Sequence, residues 1–415
     1  MIGRVLAICA SFHPREDSEA LVTTRLVRGL REAGCLVDVI SQRGGDRDLS
    51  ENRNASTRRP RYELSYPRVR QFVRTVIGAR NCQTARYRFE SRWARRAGSE
   101  IASGNRNYDI VLSFGGYCHL AALQCAPAWD APIIAVWNDP FPSLIAPPPY
   151  GHGLEERLPL VYRRFLGRIG ARAAWHVFPS KHLRSYMLST LPAAVASRSS
   201  VIPHMAGRAW TSSDAAVGRG HMVITHAGGL LPNRKVGALF DGAHRWTIAN
   251  PESSIRFRFI GPQRELLLDE AQKYGCAAIC DFVPEVSNTR CRELLGESDV
   301  LLVVEAQTPQ GIFLPTKFVD YAETCRPILA LTPTDGTVSD YLRGYGGGIA
   351  VDGASPEQVA SALSVLHGAW RKGLLFTSFS SSRLSPLFCQ ETIVRAYQDI
   401  FQTVLKDCKN EVSLV

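Results

Sequence analysis

Short apolar runs alternate with amphipathic stretches along most of the chain. Residues 4–10 read as a buried strand, 19–32 as a helix with Leu21, Leu26, Val27 and Leu30 apolar, and 35–40 as the next strand. Further strands fit 108–114, 132–137 and 174–179. A second series begins beyond Val201-Ile202-Pro203-His204 and a polar stretch at 206–220, with strands at 222–226, 255–260, 277–282, 300–304, 328–331 and 348–351. Helical windows fall between them at 235–249, 264–274, 288–297 and 356–371, and a last helix fits 391–406. Strands separated by helices imply right-handed βαβ units and parallel sheets. The expected fold class is α/β, with two doubly wound Rossmann-like domains over 1–205 and 206–385. The segment 386–415 is expected to supply a crossover helix, packing back on the first domain, and a tail.

Composition changes this picture little. A length of 415 residues, 45% apolar and 21% charged, fits a soluble globular protein of two to three domains. No run approaches the ~18–20 apolar residues of a membrane span. The opening Met1–Ala10 segment carries one charge and runs straight into His13-Pro14, which suits a first strand better than a signal peptide. Eleven cysteines are scattered over the chain, and Cys276-x3-Cys280 and Cys118-x6-Cys125 lack metal-site spacing. They read as reduced core residues of a cytoplasmic protein, with no metal expected.

Charge adds one feature. The net charge is +11, and the segment from Arg58 to Arg96 holds twelve arginines against Glu63 and Glu90. Phe72, Val76, Tyr87, Phe89 and Trp93 are interleaved with them. The segment is either a solvated helical face or a basic amphipathic surface that docks to an anionic membrane leaflet. No nucleic-acid fold signature accompanies it, so nucleic acid is not expected as a partner.

Three stretches carry candidate chemistry. In Pro315-Thr316-Lys317-Phe318-Val319-Asp320-Tyr321, a loop delivers a lysine and then a carboxylate three residues on, where positions share a helix face. A cation at a helix start suits a diphosphate, and a carboxylate one turn in suits a ribose diol. An ordinary surface ion pair is the competing reading. In His226-Ala227-Gly228-Gly229-Leu230-Leu231-Pro232-Asn233-Arg234-Lys235, Gly228 and Gly229 let backbone N–H groups approach an anion, and Arg234 and Lys235 supply charge. In the first half, Gly115-Gly116 leads into a helix bearing His119, and the 133–137 strand ends near Asp139-Pro140. Both lie near carboxyl ends of parallel strands, where α/β ligands bind.

Over roughly residues 1–385 these motifs resemble the GT-B glycosyltransferases similar to family 4. The 315–321 stretch, running on to Arg326-Pro327-Ile328-Leu329-Ala330-Leu331, is similar to that family's "P-x-K-hydrophobic-x-E-Y-…-G-x-P-hydrophobic" signature, with Asp320 for the usual Glu. Val201-Ile202-Pro203-His204 resembles the interdomain link, the 226–235 stretch the donor-diphosphate loop, and Cys280–Pro284 a loop that borders the nucleobase. Two departures stand out. The first carboxylate of the family's Glu-x7-Glu is missing, because Ile312 stands eight residues before Asp320, and Glu305 is a possible substitute. The usual Gly-Gly loop after the first strand is replaced by Arg15-Glu16-Asp17-Ser18, next to the weaker candidate His13.

The resemblance implies two domains facing across a cleft and a metal-independent, retaining sugar transfer from a nucleotide-diphosphate sugar, with no further cofactor. Gly228, Gly229, Arg234, Lys235, Lys317 and Asp320 would bind the donor, and His119 and Asp139 would contact the sugar or orient the acceptor. The implied acceptor is a saccharide or lipid-linked saccharide of surface polysaccharide or glycoconjugate synthesis, reached from the cytoplasmic face of the membrane. A GT-B sugar-nucleotide epimerase and a catalytically inactive nucleotide-sugar-binding member are the alternatives.

Overall fold

The computed structural model describes residues 3–15, 17–43, 87, 91–92, 94–95, 97–99, 102–103, 107–154, 158–207 and 220–412. The chain divides into two compact units. One takes in residues up to 146, 150–205 and the chain from 390 onward; the other takes in 147–149 and 206–389. Each is built on its own six-stranded parallel sheet.

In the first unit the strands are β1 (Arg4–Ser11), β2 (Leu36–Arg43), β3 (Ile110–Phe114), β4 (Ile133–Val136), β5 (Ala173–Phe178) and β6 (Ser199–Val201), in the order β2-β1-β3-β4-β5-β6. The runs of buried residues in β1, β3 and β4 reflect helices on both faces. The helix Ser18–Glu32 starts at Asp17, whose carboxylate accepts the Ala20 N–H at 3.0 Å and the Ser11 hydroxyl at 2.7 Å. That capping role gives Asp17 a structural function in the stretch that replaces the Gly-Gly loop of the family it resembles.

The terminal helix Gln390–Val412 belongs to this first unit and buries Ile393, Val394, Tyr397, Ile400, Phe401 and Val404 in its core. Gly29 lets the helix approach closely, since a Cβ there would stand 2.9 Å from Val394 Cγ2.

The second unit comprises β7 (Met222–Ala227), β8 (Ile255–Ile260), β9 (Cys280–Val283), β10 (Val300–Val304), β11 (Ile328–Thr332) and β12 (Gly348–Asp352), ordered β12-β11-β10-β7-β8-β9. Its helices include Gly237–Ala249, Asn288–Gly296, Thr316–Ala322 and Pro356–Arg371. The expected strand at 277–282 is half right: Ala277–Ile279 is a single 3-10 turn, and extended backbone begins at Cys280. Gly275, at φ 69°, and the buried Cys276 end the preceding helix in a tight turn, which an apolar pattern alone does not distinguish from a strand.

The arginine-rich segment 58–96, with the proposed membrane contact, lies outside the described residues except for positions 87, 91–92 and 94–95. Among the described residues no helix is long and apolar enough to cross a membrane.

Both sheets have a point where the chain changes direction across the sheet, between β1 and β3 in one and between β7 and β10 in the other. The carboxyl ends of such strand pairs open a crevice with no helix connection crossing it.

Candidate functional site

The carboxyl end of β7 leads into Gly228, whose φ of 86° favours glycine. The loop needs small residues for packing as well. A Cβ on Gly228 would lie 3.0 Å from Lys317 Cε, and one on Gly229 would lie 3.0 Å from Gln263 Nε2. Gln263 steadies the loop by accepting the Leu230 N–H at 3.2 Å. A turn then follows, in which the Arg234 N–H donates to Leu231 O at 2.8 Å.

The helix Thr316–Ala322 is tied to the same loop. Tyr321 is buried, and its hydroxyl accepts the Ala227 N–H at 3.0 Å. This contact sets the helix so that Lys317, one turn earlier, lies over the glycines. Lys317 Nζ donates to Gly229 O at 3.1 Å and stands 3.2 Å from His226 Nε2. Burial, and then the neighbouring Arg234 charge, lower the Lys317 pKa to about 7.

Arg234 is half-buried, and its Nε is buried with no hydrogen-bond partner among the described residues. Its charge acts on Lys317, His226 and Glu305. Glu305 follows β10 directly and is 6% exposed. Its Oε2 accepts the Thr332 hydroxyl at 2.5 Å, and burial pushes its pKa up to about 7.

Two cations, two glycines and a polarised loop therefore converge at the β7–β10 switch point. A buried guanidinium nitrogen with no partner among the described residues, beside a largely buried ammonium, is an arrangement whose chemistry suits an anion.

The structure brings Gly228, Gly229, Arg234 and Lys317 together. Lys235 is exposed beside them, with no hydrogen bond or ion pair among the described residues. Asp320 lies one turn beyond Lys317 on the short helix, and its Oδ1 accepts the Gly207 N–H at 3.1 Å. Ile312 is fully buried, so apolar packing occupies the position where the resemblance puts a carboxylate.

In the first unit, Gly115 adopts φ 79° after β3, and the Phe141 ring covers Gly116 so closely that a Cβ there would stand 2.2 Å from it. His119, on helix Gly116–Cys125, is fully buried. Its Nδ1 lies 2.7 Å from Ser113 Oγ, its ring meets Trp137 edge-on at 4.5 Å, and burial holds its pKa well below the usual histidine range. Asp139 is exposed in the loop after β4. Sequence spacing places His119 one turn past the glycines but does not say that the ring turns inward.

Sequence reading gave no role to His226, Gln263 or Tyr321. His226 opened the glycine stretch and Tyr321 closed the lysine motif, so both were in view. The interactions that define them cross from β7 to a helix more than ninety residues away.

Residues 20–205 match the model for Glycosyltransferase Family 4. Anabaena HepE in complex with UDP and glucose aligns with 97% of this chain and 100% of its own, at TM-score 0.62 and 11% identity. Sucrose-phosphate synthase from Thermosynechococcus elongatus aligns with 98% of this chain and 100% of its own, at TM-score 0.65 and 13% identity. The lipopolysaccharide outer core galactosyltransferase WaaB, in its apo form, aligns with 96% of this chain and 99% of its own, at TM-score 0.61 and 12% identity. Residues 20–205 are therefore similar to Glycosyltransferase Family 4, and the two sheets together have the GT-B fold.

No curated protein matches in sequence. The structural likenesses, all below 25% identity, carry the two-sheet GT-B architecture and nothing about individual side chains. Within that GT-B frame, the family match falls on the first unit and the cation cluster on the second.

Proposed function

We propose that this protein is a glycosyltransferase that moves a sugar from a nucleotide-diphosphate donor to a saccharide or lipid-linked acceptor, with retention, in surface polysaccharide or glycoconjugate synthesis. The observation that carries the reading is the convergence of Arg234 and Lys317 on the Gly228-Gly229 loop. Breaking the bond to the donor sugar leaves a nucleoside diphosphate carrying extra negative charge. Preorganised cations aimed at that charge lower the barrier more than they stabilise the ground state. In this reading the two side chains supply the positive charge without a metal ion or another cofactor, and Asp320 takes the ribose hydroxyls by exchanging its Gly207 contact. Asp139, exposed in the first unit, contacts the sugar or acceptor, and His119 orients that region from the core through Ser113.

Two features extend the reading. HepE is solved with UDP and with UDP-glucose, which makes a uridine diphosphate donor the first to try. The arginines of 58–96 suit an acceptor held at an anionic membrane face. A second reading, a nucleotide-sugar-binding member without transferase activity, is favoured by the buried Ile312 in place of a carboxylate.

A thermal-shift series with UDP, GDP, dTDP and ADP tests the donor class, because a ligand that binds only the folded chain raises its melting temperature. One diphosphate should stand out. No shift with any of them contradicts the donor reading, and a shift without turnover of the matching nucleotide sugars supports the non-catalytic one.

A further inference from the structure

We infer that His226 is a positioning residue for the donor site: its neutral ring fixes Lys317 Nζ over the glycine loop and leaves the charge of the ammonium free for an anion. The inference rests on the donor reading above and deepens it.

The proton inventory carries the argument. His226 is the penultimate residue of β7, next to the glycine loop, and is 1% exposed. Its Nδ1 lies 2.9 Å from Leu302 O, and a carbonyl can only accept, so the proton of the neutral ring is on Nδ1. Nε2 is then a lone pair, and it faces Lys317 Nζ at 3.2 Å. The second acceptor on Nζ is also neutral, Gly229 O at 3.1 Å. A lysine has three N–H donors. Two neutral acceptors thus fix the direction of the third, whereas a carboxylate in either place would cancel the charge that a diphosphate needs.

The other groups acting on Lys317 are Arg234 from the loop after β7 and Cys291 from the helix Asn288–Gly296. Asp320, on the lysine's own helix, acts on Cys291 and Tyr321. Arg234 and burial both disfavour the charged lysine, and the lone pair of His226 is the nearest side-chain acceptor that favours it, beside the Gly229 carbonyl. Burial and the Lys317 charge hold His226 itself well below the usual histidine range, so it stays neutral through the working pH.

The test has one arm without nucleotide and one with it. In the first, the full chain is pulse-labelled with an amine reagent across pH, and mass spectrometry follows the Lys317 peptide. His226→Phe keeps the ring shape and removes the lone pair, so the labelling midpoint of Lys317 should move to lower pH. His226→Gln, which offers a side-chain oxygen in place of Nε2, should restore part of the shift. In the second arm, UDP and uridine are titrated into the same three proteins. UDP affinity should fall roughly tenfold in His226→Phe, less in His226→Gln, with uridine affinity held, and the loss should begin at lower pH than in the parent.

A Lys317 labelling midpoint unchanged between the parent and His226→Phe overturns the inference whatever the nucleotide results. A shifted midpoint in a protein that binds neither UDP nor any other nucleoside diphosphate upholds the positioning and overturns the donor reading instead.

Discussion

The Tyr321 hydroxyl accepts the Ala227 N–H at 3.0 Å and so joins the start of the glycine loop to the helix that carries Lys317. Neither residue need touch a ligand for the contact to matter. It fixes the separation between a strand end and a helix, and the lysine then follows from the helix geometry. Tyr321→Phe leaves the Ala227 N–H buried without a partner, which costs about 1–3 kcal/mol. Denaturant unfolding should show that loss, and diphosphate affinity should fall with it. A variant as stable as the parent would mean that the contact does not hold the loop.

Lys317 should be a liability to the empty fold. Its pKa near 7 lies below the ordinary lysine value of 10.5, so the folded chain gives up the proton earlier than the unfolded one. Between those two values the unfolded chain binds more protons, and the contribution of this residue to stability rises with pH. Lys317→Met should therefore melt higher than the parent below pH 7, and the gap should narrow toward pH 10.5. The same variant should lose the thermal shift that a diphosphate gives. A constant gap across pH would contradict the assigned environment.

Glu305 gives a slope of the opposite sign. Its folded pKa near 7 stands above the ordinary 4.5, so the folded chain holds the proton longer. The stability tied to that proton is complete below about pH 4.5 and is lost as pH rises toward 7. Glu305→Gln keeps the shape and an acceptor for the Thr332 hydroxyl while removing the titration. It should gain melting temperature over the parent at pH 8 and little at pH 4.5. Equal gains at both pH values would point to packing and not charge.

The docking of the last helix is open to a simple test. Phe401 is fully buried in the core of the first unit, and Phe401→Ala should cost about 3–5 kcal/mol of stability. A loss under 1 kcal/mol would mean that the helix Gln390–Val412 contributes little to that core.

The fold was legible because parallel strands buried on both faces leave apolar runs that survive without an alignment. The strands at 255–260 and 300–304 are found where the pattern puts them. Residue 277 was misread because a tight turn behind a buried cysteine has the same apolar character as a strand. The proposed donor group was half legible. Glycines and cations at a strand-to-helix transition announce an anion site through their chemistry, and Arg234 and Lys317 meet in the fold. His226 was invisible in that role, since a histidine at the end of an apolar strand reads as core until its two nitrogens are seen on Leu302 and Lys317. His119 had the reverse fate: a Gly-Gly turn made it look open, and Ser113 and Trp137 enclose it.

Calorimetric titration of the best-binding nucleoside diphosphate and of its parent nucleoside, on the intact chain and on Lys317→Ala, tests the central claim most directly. Lys317 is assigned to the phosphates, so the diphosphate should lose roughly 1.5–3 kcal/mol of binding free energy, the scale of a charge-assisted hydrogen bond, while the nucleoside keeps its affinity. Equal losses for the two ligands, or none for either, would contradict the assignment.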